Sequence, residues 1–445
     1  MSFVHVCRYW RTILLNHCAA WSNILVRGQD PNFLTWQIEN SQSAPLDVTV
    51  HLYQRISNSG DHFRLNFQTC MRTIQEHRNR VRSLSVHLNQ HDFFRGLFNF
   101  DLPNLEEFAW EDMGPYRPAH RPTAPVWNAD RCPNLRRLSV KGTLDFTMEP
   151  TTGLTRFKLE GPMIVSLADI SNLLERNRTL EHLELVDLHV PAETPGKKKC
   201  IGLHNVTVLS FRNVEHGHIF PCISLPALEH LHIGSFDQLT WWTSTVWGNL
   251  CIPSGITSLH IKYRSWLRLR EGGFDRIYIT GFDDTRTHSL NLTEHSLSTR
   301  FNPMLSALAN TPLHTVTSIS FTEEETNDPR YQLLSPPLRT MLGNLPNLKH
   351  MDLCWGHLTH QVIGLLQHTC PKLKTLRVKT TRLSCPVTFV SILQLAQARA
   401  AAGTRLSKVE CVFAGDGDAA AETREMWDTL TRNACLERYL GSSNG

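Results

Sequence analysis

One short phrase returns thirteen times along the chain and constrains its fold more than any other feature. The phrase is an apolar residue, two polar residues, an apolar residue, one further residue and an apolar residue, as in LPNLEEFAWED and CPNLRRLSVKG. Its copies begin at Val81, Leu105, Leu135, Leu154, Leu180, Val206, Leu228, Ile256, Phe274, Val316, Leu348, Leu373 and Leu406. The mean interval of about 27 residues predicts a repeat array rather than a chance pattern in a leucine-bearing chain.

Each copy ends in a period-two segment, which predicts a short strand with both apolar side chains on one face. Between copies the apolar residues switch to helical spacing, at 62–76, 166–176, 359–368 and 389–402. Ser166 and Asp169 form a capping-box pair, and Gly403 is placed to end the last helix. The alternation predicts an α/β fold, a solenoid with parallel strands on its concave face and helices outside.

The array over residues 46–440 resembles leucine-rich-repeat proteins. Three positions after the last strand leucine, where that family usually has Asn or Cys, this chain has Met113, Thr143, Leu188, Val214, Phe236 or Thr381. Without an asparagine ladder to bond the turns, we expect irregular repeats. The wide gap between Phe274 and Val316 is predicted to hide a degenerate copy.

The chain opens with an amphipathic pattern, MSFVHVCRYWRTILL, that has no helix cap and no acidic first turn before it. The phrase VCRYW at 6–10, together with Trp21 and the PLDVTV segment at 45–50, resembles the second half of an F-box. The likeness is to fungal F-box proteins with divergent leucine-rich repeats. Because the opening LPxEL-type segment of that module is absent, we expect the chain to start partway through it.

The resemblance implies the substrate-recognition subunit of a cullin-based ubiquitin ligase, which performs no bond chemistry itself. In this interpretation Phe3, Val6, Cys7 and Trp10 bind a Skp-type adaptor, weakly or not at all because half of the module is missing. The alternatives are that these residues only cover the first repeat, and that the protein is a stand-alone repeat scaffold without adaptor binding. The predicted domains are 1–45, a partial F-box and linker, 46–440, the repeats, and 441–445, a disordered tail.

Alternation along each strand predicts which residues flank the apolar pairs and bind the protein substrate. They are Arg137, Ser139, Lys141, Arg156, Lys158, His182, Glu184, His230, His232, His260, Lys262, His350, Asp352, Arg377 and Lys379. We interpret this set as a groove with basic ends and a histidine-rich middle, which favours an acidic or phosphorylated segment.

A second candidate surface is the aromatic connector TWWTSTVWGN. Its large side chains, Trp241, Trp242 and Trp247, suit a ligand anchor, although they equally suit the filling of a gap over an irregular repeat.

Composition and motifs exclude several classes of function. Lys and Arg number 45 against 41 Asp and Glu, a balance that gives no reason to expect nucleic acid or a membrane surface as a partner. The twelve cysteines include no CxxC pair, and no nucleotide-binding, nucleophile-elbow or zinc-protease motif is present. We therefore predict a non-enzymatic protein without cofactor or metal, located in the cytoplasm or nucleus.

Overall fold

The computed structural model describes a large part of the chain in two compact units. Unit 1 is Met1–Val206 with Val214–His216, and unit 2 is Thr207–Asn213 with Gly217–Gly445. The described residues are 12–13, 15–27, 29–52, 60–88, 100–112, 130–142, 151–189, 201–212, 223–235, 253, 255–266, 274–283, 285, 289–296, 308, 313–324, 335–354, 359–380, 384–413, 417–434 and 436–440. Both units are mixed α/β structures, as the alternation of periods predicted.

Unit 1 is built on a parallel sheet. Its strands are β1 (Asn23–Val26), β2 (Leu46–Leu52), β3 (Val81–Leu88), β4 (Glu107–Asp112), β5 (Arg137–Lys141), β6 (Arg156–Ile164), β7 (His182–His189) and the short β8 (Ile201–Gly202). Its helices are α1 (Pro31–Asn40), α2 (Gly60–Glu76) and α3 (Leu167–Arg176), with 3-10 helices at Cys18–Trp21 and Arg78–Arg80. Strands β1 to β7 pair in chain order and all in parallel, which confirms the prediction of parallel strands for this unit.

Unit 2 contains the remaining strands and helices. The strands are β9 (Val208–Arg212), β10 (Ile223–Ser224), β11 (His230–Ser235), β12 (Ser258–Trp266), β13 (Phe274–Phe282), β14 (Ser289–Ser296), β15 (Ser318–Glu324), β16 (His350–Cys354), β17 (Thr375–Thr380) and β18 (Lys408–Phe413). The helices are α4 (Ser335–Gly343), α5 (Thr359–Leu365), α6 (Cys385–Ala401) and α7 (Gly417–Ala434), followed by a 3-10 helix at Leu436–Tyr439. Within this unit the sheet order is β9-β11-β14-β13-β12-β15-β16-β17-β18.

The prediction of parallel strands throughout is wrong for β13. β13 is antiparallel to both of its neighbours, and β14 returns to lie parallel beside β11. The segment 267–273 that joins β12 to β13 has seven residues, too few for the crossover of a dozen or more that a parallel pair needs. The copy that begins at Phe274 is therefore one arm of a hairpin, and β14 occupies the gap where a degenerate copy was expected.

The apolar positions of the repeat form the core, as predicted. In β3, Leu84 and Val86 are buried while Ser85 between them is half-exposed. β17 shows the same alternation, with Leu376 and Val378 buried on either side of the exposed Arg377. Because successive side chains of a strand point to opposite faces, each sheet has one apolar and one polar face.

A tight turn precedes the first apolar residue of many repeats and belongs to the repeating unit. The backbone N–H of Leu105 donates to the carbonyl of Leu102 at 3.1 Å, and Leu373 N–H donates to Cys370 at 3.0 Å. Leu102 and Cys370 are buried, so the LPN and CPK phrases add an apolar contact three residues before the first apolar position of the repeat. Proline at the second position of such a turn has the backbone angle that the turn requires.

Asparagine side chains bond these turns to one another, which corrects the expectation that the chain has no asparagine ladder. The Nδ2 groups of Asn104 and Asn134 donate to the carbonyls of Asn79 and Pro103 at 2.6 and 2.8 Å. Asn205 and Asn347 do the same to the turns before them, at 3.2 and 2.6 Å. The asparagines of this ladder occupy the position just before the first apolar residue of a repeat. They do not occupy the position three residues after the last strand leucine, where Asn or Cys was sought.

The helices match the predictions in part. Ser166 caps α3 as expected, since its Oγ accepts from the backbone N–H of Asp169 at 3.0 Å and donates to Asp169 Oδ2 at 2.7 Å. Gly403 follows α6 in a left-handed conformation with φ of +72°, which confirms its role as a stop. The predicted boundaries are less accurate: α6 begins four residues before Phe389, and α5 ends at Leu365 rather than at 368.

Three helices, α1, α4 and α7, were not predicted. For α1 a signal was present, because Asp30 accepts from the Asn32 N–H as an N-cap and Pro31 occupies the first helical position.

Within the described ranges, no helix combines the length and the apolar character needed to cross a membrane.

Gly161→Ala is expected to destabilise unit 1 by about 3 kcal/mol, because two backbones meet closely at this glycine. Its φ is +127°, and an added Cβ would lie 2.2 Å from the carbonyl oxygen of Gly142. The measurement is the urea-induced unfolding midpoint. Gly364→Ala in α5 is the matched control, since nothing lies within 4 Å of its added Cβ and alanine is the better helix former. Equal midpoints for the two variants would contradict the close approach.

Candidate protein-binding surface

The polar face of the unit 1 sheet carries seven of the fifteen predicted substrate-binding residues. We call the half-exposed and exposed side chains of β2 to β7 on this side the unit 1 face. Five of its members lie in one register row that crosses the strands: His51, His87, Glu111, Lys141 and Glu160. Parallel pairing spaces such neighbours by about 4.8 Å, so each side chain reaches the next.

Charged groups alternate along this row. His87 Nδ1 lies 2.7 Å from Glu111 Oε2, and the other Glu111 oxygen is 3.1 Å from Lys141 Nζ. Lys141 Nζ also lies 3.3 Å from Glu160 Oε1. At the other end of the row the rings of His51 and His87 meet edge to face, with centroids 4.7 Å apart.

Ion pairs extend beyond the row to the rest of the unit 1 face. Lys158 Nζ lies 2.9 Å from Glu160 and 3.4 Å from Glu184. Arg137 pairs with Glu107 at 3.1 Å, and Arg82 pairs with Asp47 at 2.7 Å. The basic members are Arg82, Arg137, Lys141, Arg156 and Lys158, and the acidic members are Asp47, Glu107, Glu111, Glu160 and Glu184.

The unit 1 face is therefore balanced in charge, which corrects the interpretation of this region as a basic end. The alternation rule had been applied from Arg137 onward, and the same rule applied to LPNLEEFAWED selects Glu107 and Glu111. The preference for an acidic or phosphorylated partner stays a prediction.

Pairing changes the protonation equilibria of the row. Burial alone would raise the pKa of Glu111, but hydrogen bonds with His87 and Lys141 outweigh it and the net pKa is lowered. The hydrogen bond to Glu111, with help from Glu160, raises the pKa of Lys141. Burial and the neighbouring His87 lower the pKa of His51. The carboxylates and Lys141 are thus held in their charged forms.

In unit 2 the predicted residues of β16 and β17 lie side by side on the polar face. Arg377 lies 3.7 Å from Asp352 and 4.0 Å from Glu410 on β18. His350 and Lys379 are exposed and have no carboxylate within ionic distance among the described residues. This end of the sheet keeps cationic side chains available to a partner.

The predicted histidine-rich middle is divided. His230 and His232 lie on β11, whereas His260 lies on β12, and the strands β14 and β13 intervene. Three strand spacings separate them, or about 14 Å, instead of the single spacing that consecutive parallel repeats would give. His260 Nε2 is 3.1 Å from Thr322 Oγ1 on β15. The side chain of Lys262 lies outside the described residues.

Two further predicted sets fall outside the described residues. They are the adaptor-binding residues Phe3, Val6, Cys7 and Trp10, and the aromatic connector residues Trp241, Trp242 and Trp247. The remaining predicted members, Ser139, Arg156, His182 and Glu184, take the expected places on the unit 1 face, where Glu184 lies 3.9 Å from His182.

No group of three or more His, Cys, Asp or Glu side chains among the described residues is arranged to hold a metal ion. Burial raises the pKa of the Cys132 thiol to about 12 and that of Cys370 to about 11. Since the thiolate is the nucleophile, these two cysteines pack as small apolar residues.

The sequence matches no protein-family model and no curated protein. The class of molecule that the geometry defines is a mixed α/β protein whose two units each have a largely parallel sheet with a polar face.

Proposed function

We propose that this protein binds another protein through the polar faces of its sheets, as the substrate-recognition subunit of a cullin-based ubiquitin ligase. The observation that carries the binding role is the unit 1 face, on which paired side chains are held in register by a continuous parallel ladder. Side chains fixed by their neighbours lose little conformational freedom when a partner binds. A receptor of this kind acts by raising the effective concentration of its substrate near the ubiquitin-charged enzyme.

The size of the unit 1 face suits an extended protein segment. Six strands, β2 to β7, span about 24 Å across the sheet, which an extended segment of about seven residues would cross. Arg156 on this face, which has no carboxylate partner among the described residues, favours acidic or phosphorylated groups on that segment. Within unit 2, Lys379 likewise has no carboxylate partner among the described residues and favours the same groups.

The finer proposal for the fold is a leucine-rich-repeat solenoid with an F-box-like N-terminal segment. Recurring turns before the strands and the asparagine side chains that join consecutive turns support a repeated unit. The F-box part rests on the resemblance of residues 3–50.

Adaptor binding is tested directly with a purified Skp-type adaptor immobilised on a sensor. We expect at most weak binding, with a Kd no lower than about 10 µM, and we expect Trp10→Asp to abolish it. Asn16→Asp, which adds the same charge to an exposed position of the same segment, is the control and should bind like the parent. If the parent itself gives no binding, the ligase role is wrong, and the alternative, a stand-alone protein-interaction scaffold, replaces it.

Substrate binding is tested by proximity labelling in cells. The variants are Arg137→Glu/Lys141→Glu and Arg377→Glu/Lys379→Glu, with Arg339→Glu on the exposed side of α4 as the charge control. We expect at least tenfold lower recovery of partners from one or both double variants, each checked for a native circular dichroism spectrum. Unchanged recovery from both would move the binding site off the sheet faces and toward Trp241–Trp247.

A further inference from the structure

A cleft of about 490 Å³ lies at the turns that precede strands β2 to β5 in unit 1. It adjoins the unit 1 face: most of its lining comes from the turn positions, and Arg82 at the start of β3 belongs to both. Three arginines, Arg80, Arg82 and Arg136, line it together with the ladder residues Asn104 and Asn134.

Two of these arginines have no carboxylate within ionic distance among the described residues. Arg80 donates from Nε and Nη2 to the carbonyl of Ala44 at 3.2 and 3.0 Å and from Nη2 to Ser41 Oγ at 2.5 Å, all neutral oxygens. Arg136 is exposed and donates from Nη1 to the carbonyl of Gly153 at 3.2 Å. The basic residues of the unit 1 face, apart from Arg156, all have acidic partners.

The third arginine and the one acidic lining residue set the net charge. Arg82 forms a two-pronged pair with Asp47, at 3.1 and 2.7 Å, so its charge is largely balanced. Glu106 offsets one further positive charge in the cleft. A net positive charge remains, and Arg80 is half-buried where water screens it less than at an open surface.

Amide donors complete the set. One N–H of each side-chain amide, in Asn104 and in Asn134, donates to the preceding turn, at 2.6 and 2.8 Å. The amide of asparagine has a second N–H, which can donate to a ligand. The ladder bonds hold these amides in position before any ligand arrives. Guanidinium and amide N–H groups that line one cleft are the donors that bind the several oxygens of a phosphoryl group.

We infer that this cleft binds a phosphate monoester, either free or carried on a protein side chain. A phosphoryl group has close to two negative charges at pH 7 and three acceptor oxygens, which suits the net positive charge and the several N–H donors of this cleft better than one carboxylate does. The inference does not depend on the proposed ligase role.

The test is calorimetric titration of the full chain with inorganic phosphate, with a phosphoserine peptide and with the same peptide unphosphorylated. We expect saturation by the phosphorylated peptide, none by the unphosphorylated one, and at least tenfold weaker binding for Arg136→Gln. Arg136→Lys, which keeps the charge but loses the planar fork, should restore part of the affinity. Arg72→Gln, at an exposed position of α2 outside the cleft, is the matched control and should bind like the parent.

The two phosphate probes distinguish the source of the ligand. Tighter binding of the phosphopeptide indicates a protein-borne phosphate, and equal binding indicates a small phosphate ester. Failure of both probes to bind below about 10 mM, or binding that Arg136→Gln leaves unchanged, would overturn the inference.

Discussion

Arg399→Met is expected to destabilise unit 2 by about 4 kcal/mol. Arg399 lies near the C-terminal end of α6 and is only 1% exposed. Its guanidinium donates to six backbone carbonyls, those of Leu366, Thr369, Cys370, Pro371, Leu373 and Thr404, at 2.9 to 3.4 Å. Burial lowers its pKa, and no carboxylate in the described residues compensates it, so the carbonyl dipoles stabilise the charge.

Stability is lost because the carbonyls that accept hydrogen bonds from Arg399 have few alternative donors. Five of the six lie between the end of α5 and the turn that leads into β17, a region that the arginine joins to α6, and the sixth, that of Thr404, follows α6. Methionine fills a similar volume but leaves buried acceptors without partners. We expect Arg399→Lys to lower the stability of unit 2 by about half as much. One ammonium group cannot donate both to the carbonyls before β17 and to that of Thr404.

The measurement is the urea-induced unfolding midpoint, with Arg405→Met as the matched control. Arg405 is exposed a few residues later in the chain, and its replacement should change stability by less than about 0.5 kcal/mol. A loss below about 1 kcal/mol for Arg399→Met would mean that the six hydrogen bonds do not hold this region together.

Leu138→Asp in β5 is expected to cost about 4 kcal/mol, and Leu376→Asp in β17 a similar amount. Leu138 is 4% exposed and Leu376 is fully buried, so each substitution removes apolar packing and buries a carboxyl group. Ser139→Asp is a sharp control for the first variant, because one step along the strand moves the new carboxylate to the polar face beside Lys158. If Leu138→Asp unfolds at the urea concentration of the parent, the assignment of Leu138 to the core is wrong.

The Leu138→Asp variant should also gain a pH dependence of defined sign. Burial raises the pKa of a carboxyl group in the folded state above its unfolded value near 3.9. The penalty is then smallest below the unfolded value, grows as pH rises between the unfolded and the folded values, and is constant above the folded value. Leu138→Asn, which cannot ionise, should show the same loss at pH 4 and at pH 7.

The elements found from the sequence are those whose signal is local. The period-two spacing of Leu138 and Val140 identifies a strand and its buried face without any knowledge of neighbours. Ser166 and Gly403 mark helix ends because capping depends on residues within one turn. For α6 the predicted start was late because Cys385 and Thr388 are buried without belonging to a conspicuous apolar stripe.

The sequence predicted which residues lie on the candidate surface, but not the balance of charge on it. Alternation correctly placed Arg137, Lys141 and Lys158 opposite the buried side chains, since that rule is local. Their neighbours Glu107 and Glu184 come from strands 30 and 26 residues away, and only the register of the sheet decides which charges meet.

Sequence alone determined the period of the chain, the buried faces of its strands and several helix ends, because each is set by the spacing of apolar residues or by a few adjacent side chains. Only the tertiary structure decided the reversed order of β12, β13 and β14, the asparagine bonds between turns and the six carbonyls around Arg399. It also decided the meeting of Arg80 and Arg136, which have no carboxylate partner in the described part of the chain, in one cleft. These features join residues from different repeats. Their energies depend on which backbone lies beside which, and no single stretch of the chain specifies that.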